Sequence, residues 1–203
     1  MRVKQLPSVA PGGPLEETLR NRRTIRTFSS RALSLDQVTR LLWSAQGITS
    51  PDGYRAAPSA GALYPLELHL AAGDVEGVAP GIYRYDPAAN HLREETRGDG
   101  RVDIAEAALG QQWIAEAPAI LVVAAVYART NRKYGHRGVR YVHMEVGHAG
   151  ENLLLQAVAL GLGAAVVGAF DDERLRHCLG LPAGEHPLSI LPVGHRRTLD
   201  RGP

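Results

Sequence analysis

A chain of 203 residues with 44% hydrophobic and 22% charged residues is too apolar to be disordered, and a chain of this length can bury roughly 70% of its unfolded surface. Its 23 basic and 21 acidic residues leave a formal net charge of +2, so it lacks the broad basic field of a dedicated nucleic-acid binder. Cys178 stands alone, which rules out an intrachain disulfide and fits a reducing compartment, and no apolar run approaches the ~20 residues of a membrane span. The expectation is a cytoplasmic protein with neither nucleic acid nor membrane as partner.

Residues 1–13 are rich in Pro and Gly and read as a flexible arm, followed by a single domain over 14–203. Pro14 suits the first position of a short helix in PLEETLRNRR, with Glu16 and Glu17 complementing its dipole. In SLDQVTRLLWSAQG, Ser34 and Gln37 form a capping box, Val38, Leu41, Leu42 and Ala45 share one face, and Gly47 stops the helix. The segment ITSPDGYRAAPSAGALYP is a long loop of the kind that carries function.

LELHLAA alternates as a half-buried strand, GIYRYDPAANHLREE reads as a hairpin turning near Asp86-Pro87, and a helix is expected from about Val102 to Ala115. AILVVAAVY is a continuous apolar run, as in a central strand covered on both faces. ARTNRKYGHRG reads as a polar loop, and the longest helical pattern runs from about Val139 to Leu160. GAAVVGAF is expected as a second buried strand, DDERLRHCLG as a short helix capped by Asp, and PLSILPVG as a last strand before a basic tail. Helices mixed with a hairpin give an α+β fold.

Four motifs invite chemistry. The glycines of GLGAAVVG run from a helix into a strand, the reverse of what a dinucleotide fingerprint needs. Glu145 and His148 have the E-x-x-H spacing of di-iron bundles, but no second copy accompanies them, so a satisfied core or interface pair outweighs a metal site. Cys178 follows His177 on a helix, where adjacent residues do not face each other, and Ser59 lacks a nucleophile elbow. RTNRKYGHRGVRY leaves three readings open: an RNA-binding stretch, a solvated basic loop, or an acid–base couple in which the Lys133 ammonium favours the Tyr134 phenolate. NRRTIRTF and GHRR, two basic segments at opposite ends of the chain, could converge on one phosphate.

Together, NRRTIRTF, RAAPSAGALYPLELHL, GIYRYDP, ALGQQWI, KYGHRGVRYVHMEVGHAGENLLLQA, GLGAAVVGAFDD and LPVGHR resemble the flavin-dependent nitroreductase superfamily, and within it the SagB-type, azoline oxidase-like dehydrogenases. The resemblance runs from about Leu15 to Arg197. It implies a nitroreductase-like FMN-binding fold, a central mixed and mainly antiparallel sheet flanked by helices, in a homodimer with FMN at the interface. In such proteins the opening basic motif contacts the FMN phosphate, ribityl chain and ring edge, which maps to Arg22, Arg23, Thr24 and Arg26. Pro58, Ser59, Ala60 and Gly61 would come from the partner subunit to cover the isoalloxazine, and Val166, Val167 and Gly168 would lie along the ring edge. His195 and Arg196 would close on the phosphate, and Gln111, or its neighbour Gln112, would contribute a further contact.

The resemblance also implies the reaction. Hydride would pass to FMN while Lys133 and Tyr134 remove a ring proton from a small-molecule or peptide azoline. Two alternatives stand beside it: an NAD(P)H-dependent nitroreductase or quinone reductase, and a flavin-holding scaffold or sensor without turnover.

Overall fold

A computed structural model of the protein describes residues 4–5 and 12–197. Much of the expected arm of residues 1–13, and the tail after Arg197, lie outside the described residues. The helices are α1 (Pro14–Asn21), α2 (Leu35–Gln46), α3 (Arg101–Ala107), α4 (Tyr127–Tyr134), α5 (Arg137–Ala159) and α6 (Asp172–Cys178). The strands are β1 (Leu66–Ala72), β2 (Gly81–Asp86), β3 (His91–Arg97), β4 (Ala119–Ala125), β5 (Leu162–Ala164) and β6 (His186–His195).

The six strands form one sheet in the order β3-β2-β1-β4-β6-β5. Each named pair is antiparallel; parallel pairing enters through the isolated bridges Thr24–Ala164 and Leu33–Val75. β4 lies near the middle and is fully buried, as its apolar run requires. Ala119, Leu121, Val123 and Ala125 enter the core shared with α2 and α5, whereas Ile120, Val122 and Ala124 enter the core shared with α3 and α6. The result is three layers, helices on both faces of an antiparallel sheet.

The capping box of α2 is present in full: Ser34 Oγ accepts from the Gln37 amide at 3.2 Å, and Gln37 Oε1 accepts from the Ser34 amide at 3.0 Å. Val38, Leu41, Leu42 and Ala45 are buried, and the Gly47 amide caps the Trp43 carbonyl. No helix among the described residues is long and apolar enough to cross a membrane.

Four expected elements differ. β1 is buried on both faces rather than half-buried, because its polar positions Glu67 and His69 meet Arg84, Arg129 and Glu185 rather than water. The helix expected to reach Ala115 ends at Ala107: Leu109 and Gly110 adopt φ of 60° and 74°, the Gly110 amide caps the Ala105 and Glu106 carbonyls, and a separate 3-10 turn spans Gln112–Ile114. The strand expected over 163–170 is regular only for three residues; beyond it Val167 pairs with Ile190 and leaves Val166 exposed. The basic stretch read as a loop is mostly helix α4, which Gly135 closes at φ 56° before α5 begins.

Ser34→Ala should lower stability by about 1 kcal/mol, because it leaves a first-turn amide of α2 without its cap. Urea unfolding checks this: the midpoint should fall with an unchanged slope.

Candidate active site

The arginine segment is positioned by backbone pairing. After α1 ends, the Ile25 amide donates to the Ala164 carbonyl at 2.9 Å, and the Ser29 amide donates to the His195 carbonyl at 2.9 Å. Phe28 bridges Arg196, and the Arg197 amide donates to the Thr27 carbonyl. Gly163 is required for this approach, since a Cβ there would lie 2.7 Å from Ile25 Cγ2. The two distant basic segments therefore do meet at the β5–β6 edge of the sheet.

Their side chains are partly committed. Arg22 Nε lies 3.7 Å from the Glu151 carboxylate, and Arg23 donates to the carbonyls of Arg20 and Arg22. The Arg26 guanidinium sits 5.7 Å from the centre of the Trp113 ring, and Arg196 Nε donates to the Leu162 carbonyl. Thr24 is exposed next to them. His195 Nε2 is buried with no hydrogen-bond partner, and burial, then the nearby Arg31 charge, lowers its pKa. Val166 and Gly168 are exposed and Val167 is buried, while Gln111 Nε2 donates to Ala108 and reaches the Ala169 carbonyl at 3.4 Å. Gln112 instead donates to Glu106, so Gln111 is the glutamine beside this stretch.

A second group forms around the loop Pro58–Tyr64. Gly61 (φ 65°), Ala62 (52°) and Tyr64 (45°) all adopt the left-handed region, a costly backbone for the two that are not glycine. The Tyr64 amide donates to Ser59 Oγ at 2.9 Å, and the Ala62 amide donates to the Ser59 carbonyl at 3.0 Å. A Cβ at Gly61 would lie 2.8 Å from Tyr134 Oη and 3.0 Å from Lys133 Nζ, so residues about 70 positions apart in sequence converge there. Arg129 of α4 donates to the Tyr64 carbonyl at 3.0 Å and pairs with Glu67, which fixes the helix bearing Lys133 and Tyr134 to the loop. Pro58 is exposed, and Ser59 and Ala60 are half-buried.

Within one chain, Glu145 and His148 do not form a satisfied core pair. Glu145 is 2% exposed and neither carboxyl oxygen has a hydrogen-bond partner, whereas His148 is exposed. Burial pushes Glu145 up to about 7, against the pull of the nearby Ser59 hydroxyl and the Arg55 guanidinium. Arg55 is itself lowered, chiefly by burial; it donates to Gln46 Oε1 at 2.7 Å and lies 4.6 Å from the Tyr64 ring centre. The sequence reading also missed Arg55 and Glu67, and held Arg129 only as part of the basic stretch RTNRKYGHRGVRY; the polar positions inside LELHLAA were the available signal for Glu67. Among the described residues there is no group of three metal-ligating side chains. Burial raises the Cys178 thiol, which suits an inert thiol.

Because Glu145 sits at about 7 in the fold against an ordinary 4.5, its contribution is fully present below about pH 4.5 and is lost as pH rises through about 7. Glu145→Gln should flatten this slope, recovering roughly 2–3 kcal/mol at pH 8 relative to pH 5. Unfolding titrations of both proteins at the two pH values measure it.

Comparison with known proteins gives the context of this geometry. The family model described as Nitroreductase family matches residues 19–195. A nitroreductase-type protein of Methanocaldococcus jannaschii is 44% identical over 182 residues, covering 90% of this chain and 91% of its own. The microcin B17-processing protein McbC of Escherichia coli is 28% identical over 73% of this chain and 57% of its own length. The crystal structure of a nitroreductase-type protein of Ralstonia eutropha superposes with a TM-score of 0.80 at 28% identity, over 96% of this chain and 88% of that one.

Proposed function

The chain belongs to the nitroreductase family of oxidoreductases, and on that premise we propose that it is an FMN-dependent dehydrogenase of SagB type, which oxidises an azoline-like heterocycle to an azole. The observation that carries this reading is the packing of Gly61 against both Lys133 Nζ and Tyr134 Oη. A reductase of quinones or nitro compounds has no need of such a base beside its covering loop. The relationship to a protein named for processing microcin B17 supports a heterocycle in a peptide or small molecule as substrate.

The residues fit FMN. Arg22, Arg23, Thr24, Arg26 and Arg196 offer guanidinium and hydroxyl donors on one edge, and the unpartnered His195 Nε2 belongs to the adjoining strand, near Arg31; such a cluster suits a monoester phosphate. Val166 and Gly168 are exposed on either side of Val167, whose backbone pairs with Ile190, and Gln111 lies beside them, which leaves room for a flat ring along this stretch. When bound, FMN supplies hydride acceptance at its N5. Tyr134, ionised, would take the ring proton of the substrate and become a neutral phenol, and the Lys133 ammonium, 5.4 Å from the Tyr134 ring centre, would balance the charge of the ionised form before the transfer.

One chain assembles the arginine edge and the Pro58–Tyr64 loop as two separate groups. A homodimer that sets the loop of one subunit over the arginine edge of the other would complete the site. The identity to the M. jannaschii nitroreductase-type protein favours a second reading, an NAD(P)H-dependent nitroreductase or quinone reductase.

Tyr134→Phe should lower turnover of an azoline substrate by about 10²–10⁴-fold with flavin content unchanged. The check is anaerobic loss of visible flavin absorbance on adding the azoline, followed by product analysis. Full azoline oxidation by the variant contradicts the role of Tyr134, and loss of absorbance with NADH or NADPH but not with the azoline establishes the second reading.

A further inference from the structure

Between Ala117 and Met144 the chain holds five Arg or Lys and no Asp or Glu, although its formal charge as a whole is only +2. Arg129 is matched by Glu67 of β1. Arg132 and Lys133 at the end of α4, and Arg137 and Arg140 at the start of α5, are exposed and form no ion pair among the described residues. Other exposed arginines find a carboxylate close in sequence: Arg40 meets Asp36, Arg93 meets Glu95 and Arg97 meets Glu94. The four unmatched cations also stand where they cost stability, since α5 has no acidic residue in its first turn and a helix N-terminus opposes positive charge. The junction that carries them is tight. A Cβ at Gly138 would collide with Asn131 Oδ1 and lie 3.1 Å from the Asn131 amide nitrogen, so α5 begins hard against α4. Tyr141 packs edge to face on Tyr134 with ring centres 5.1 Å apart, and Arg137 lies one turn before Tyr141 on the same face of α5.

We propose that the start of α5 is a docking site for carboxylate side chains, and that the heterocycle handled by Lys133 and Tyr134 is carried in an acidic peptide. The proposal rests on the reading of Lys133 and Tyr134 as the proton-handling pair. His136, Arg137, Arg140 and His143 line an open recess of about 620 Å³ together with Val139 and Met144. His143 is already bonded to the Tyr127 hydroxyl at 2.6 Å, which leaves the two guanidinium groups as its forked donors, each able to take a carboxylate through two parallel hydrogen bonds. Val139 and Met144 are exposed between them, so the recess offers apolar contact as well as charge. That mixture suits a peptide whose acidic residues stand beside apolar ones. A nucleic-acid backbone calls instead for cations spread over a basic surface. An isologous contact with a second copy centred here would set like charge against like.

Two product-like peptides test this without reading turnover: one holds a thiazole between two aspartates, and the other replaces both aspartates by asparagine. Calorimetric titration of the flavin-loaded protein at low salt should give about tenfold tighter binding of the aspartate peptide, and the preference should vanish near about 1 M salt, where charges are screened within a few ångströms. The double variant Arg137→Gln, Arg140→Gln should bind the two peptides alike, with its affinity for the asparagine peptide unchanged. Equal wild-type affinity for the two peptides, binding of neither, or a preference retained in the double variant overturns the proposal. So does tighter binding of a single-stranded RNA oligonucleotide than of the aspartate peptide, which would make the patch a nucleic-acid site. A changed oligomeric state of the double variant overturns it as well, by assigning the patch to a contact between copies. Failure to oxidise an azoline would overturn the assigned reaction and leave the binding result to judge the recess separately.

Discussion

Strand β4 sends alternate side chains into two cores, one beneath α2 and α5 and one beneath α3 and α6, and this double burial governs the arrangement of everything around it. A strand without a solvated face needs helices on both sides, and its neighbours β1 and β6 must be apolar there or have their polar groups paired. That is why His69 of β1 meets Glu185 at 2.5 Å, and why Glu185 in turn meets Arg84 at 2.7 Å. Against the upward push of its burial, Glu185 is held below its ordinary value by the His69 hydrogen bond and the Arg84 guanidinium. The network joins β1, β2 and α4, so the helix carrying Lys133 and Tyr134 is fixed to the sheet by charge pairing as well as by packing.

The sheet also determines where chemistry can occur. Its β5–β6 edge is covered by the arginine segment, whose backbone pairs with Ala164, His195 and Arg196. Basic side chains are thereby concentrated on an edge rather than spread over a surface, in a chain whose formal charge is only +2. On the other side of the site, the loop after α2 accepts left-handed backbone at Ala62 and Tyr64. Hydrogen bonds from Arg129 and to Ser59 offset that cost.

Much of this was legible where a local rule applied. The capping box at Ser34, the hairpin near Asp86, the buried run of β4 and the Asp171 cap of α6 all follow from short-range chemistry. Helix α4 was not legible because it buries only Thr130; without an apolar stripe, its basic residues read as a loop. β1 misled for the opposite reason, since Glu67 and His69 carry the alternation of an exposed face while their partners lie far away in sequence. Convergence of NRRTIRTF with GHRR could be suspected from composition, but the pairing of Phe28 with Arg196 has no periodic signature. Glu145 was visible as part of an E-x-x-H pattern, yet its unpartnered burial depends on Ser59 and Arg55, which only the fold brings near.

The central claim is that the arginine edge serves one monoester phosphate. Comparing the affinities of the flavin-free protein for FMN and for riboflavin, which differ by that phosphate alone, tests it most directly. Two charge-assisted hydrogen bonds to a phosphate, at about 1.5–3 kcal/mol each, correspond to a preference for FMN of roughly 100-fold or more. Equal affinity for the two flavins would contradict the account and leave the cluster a solvated face.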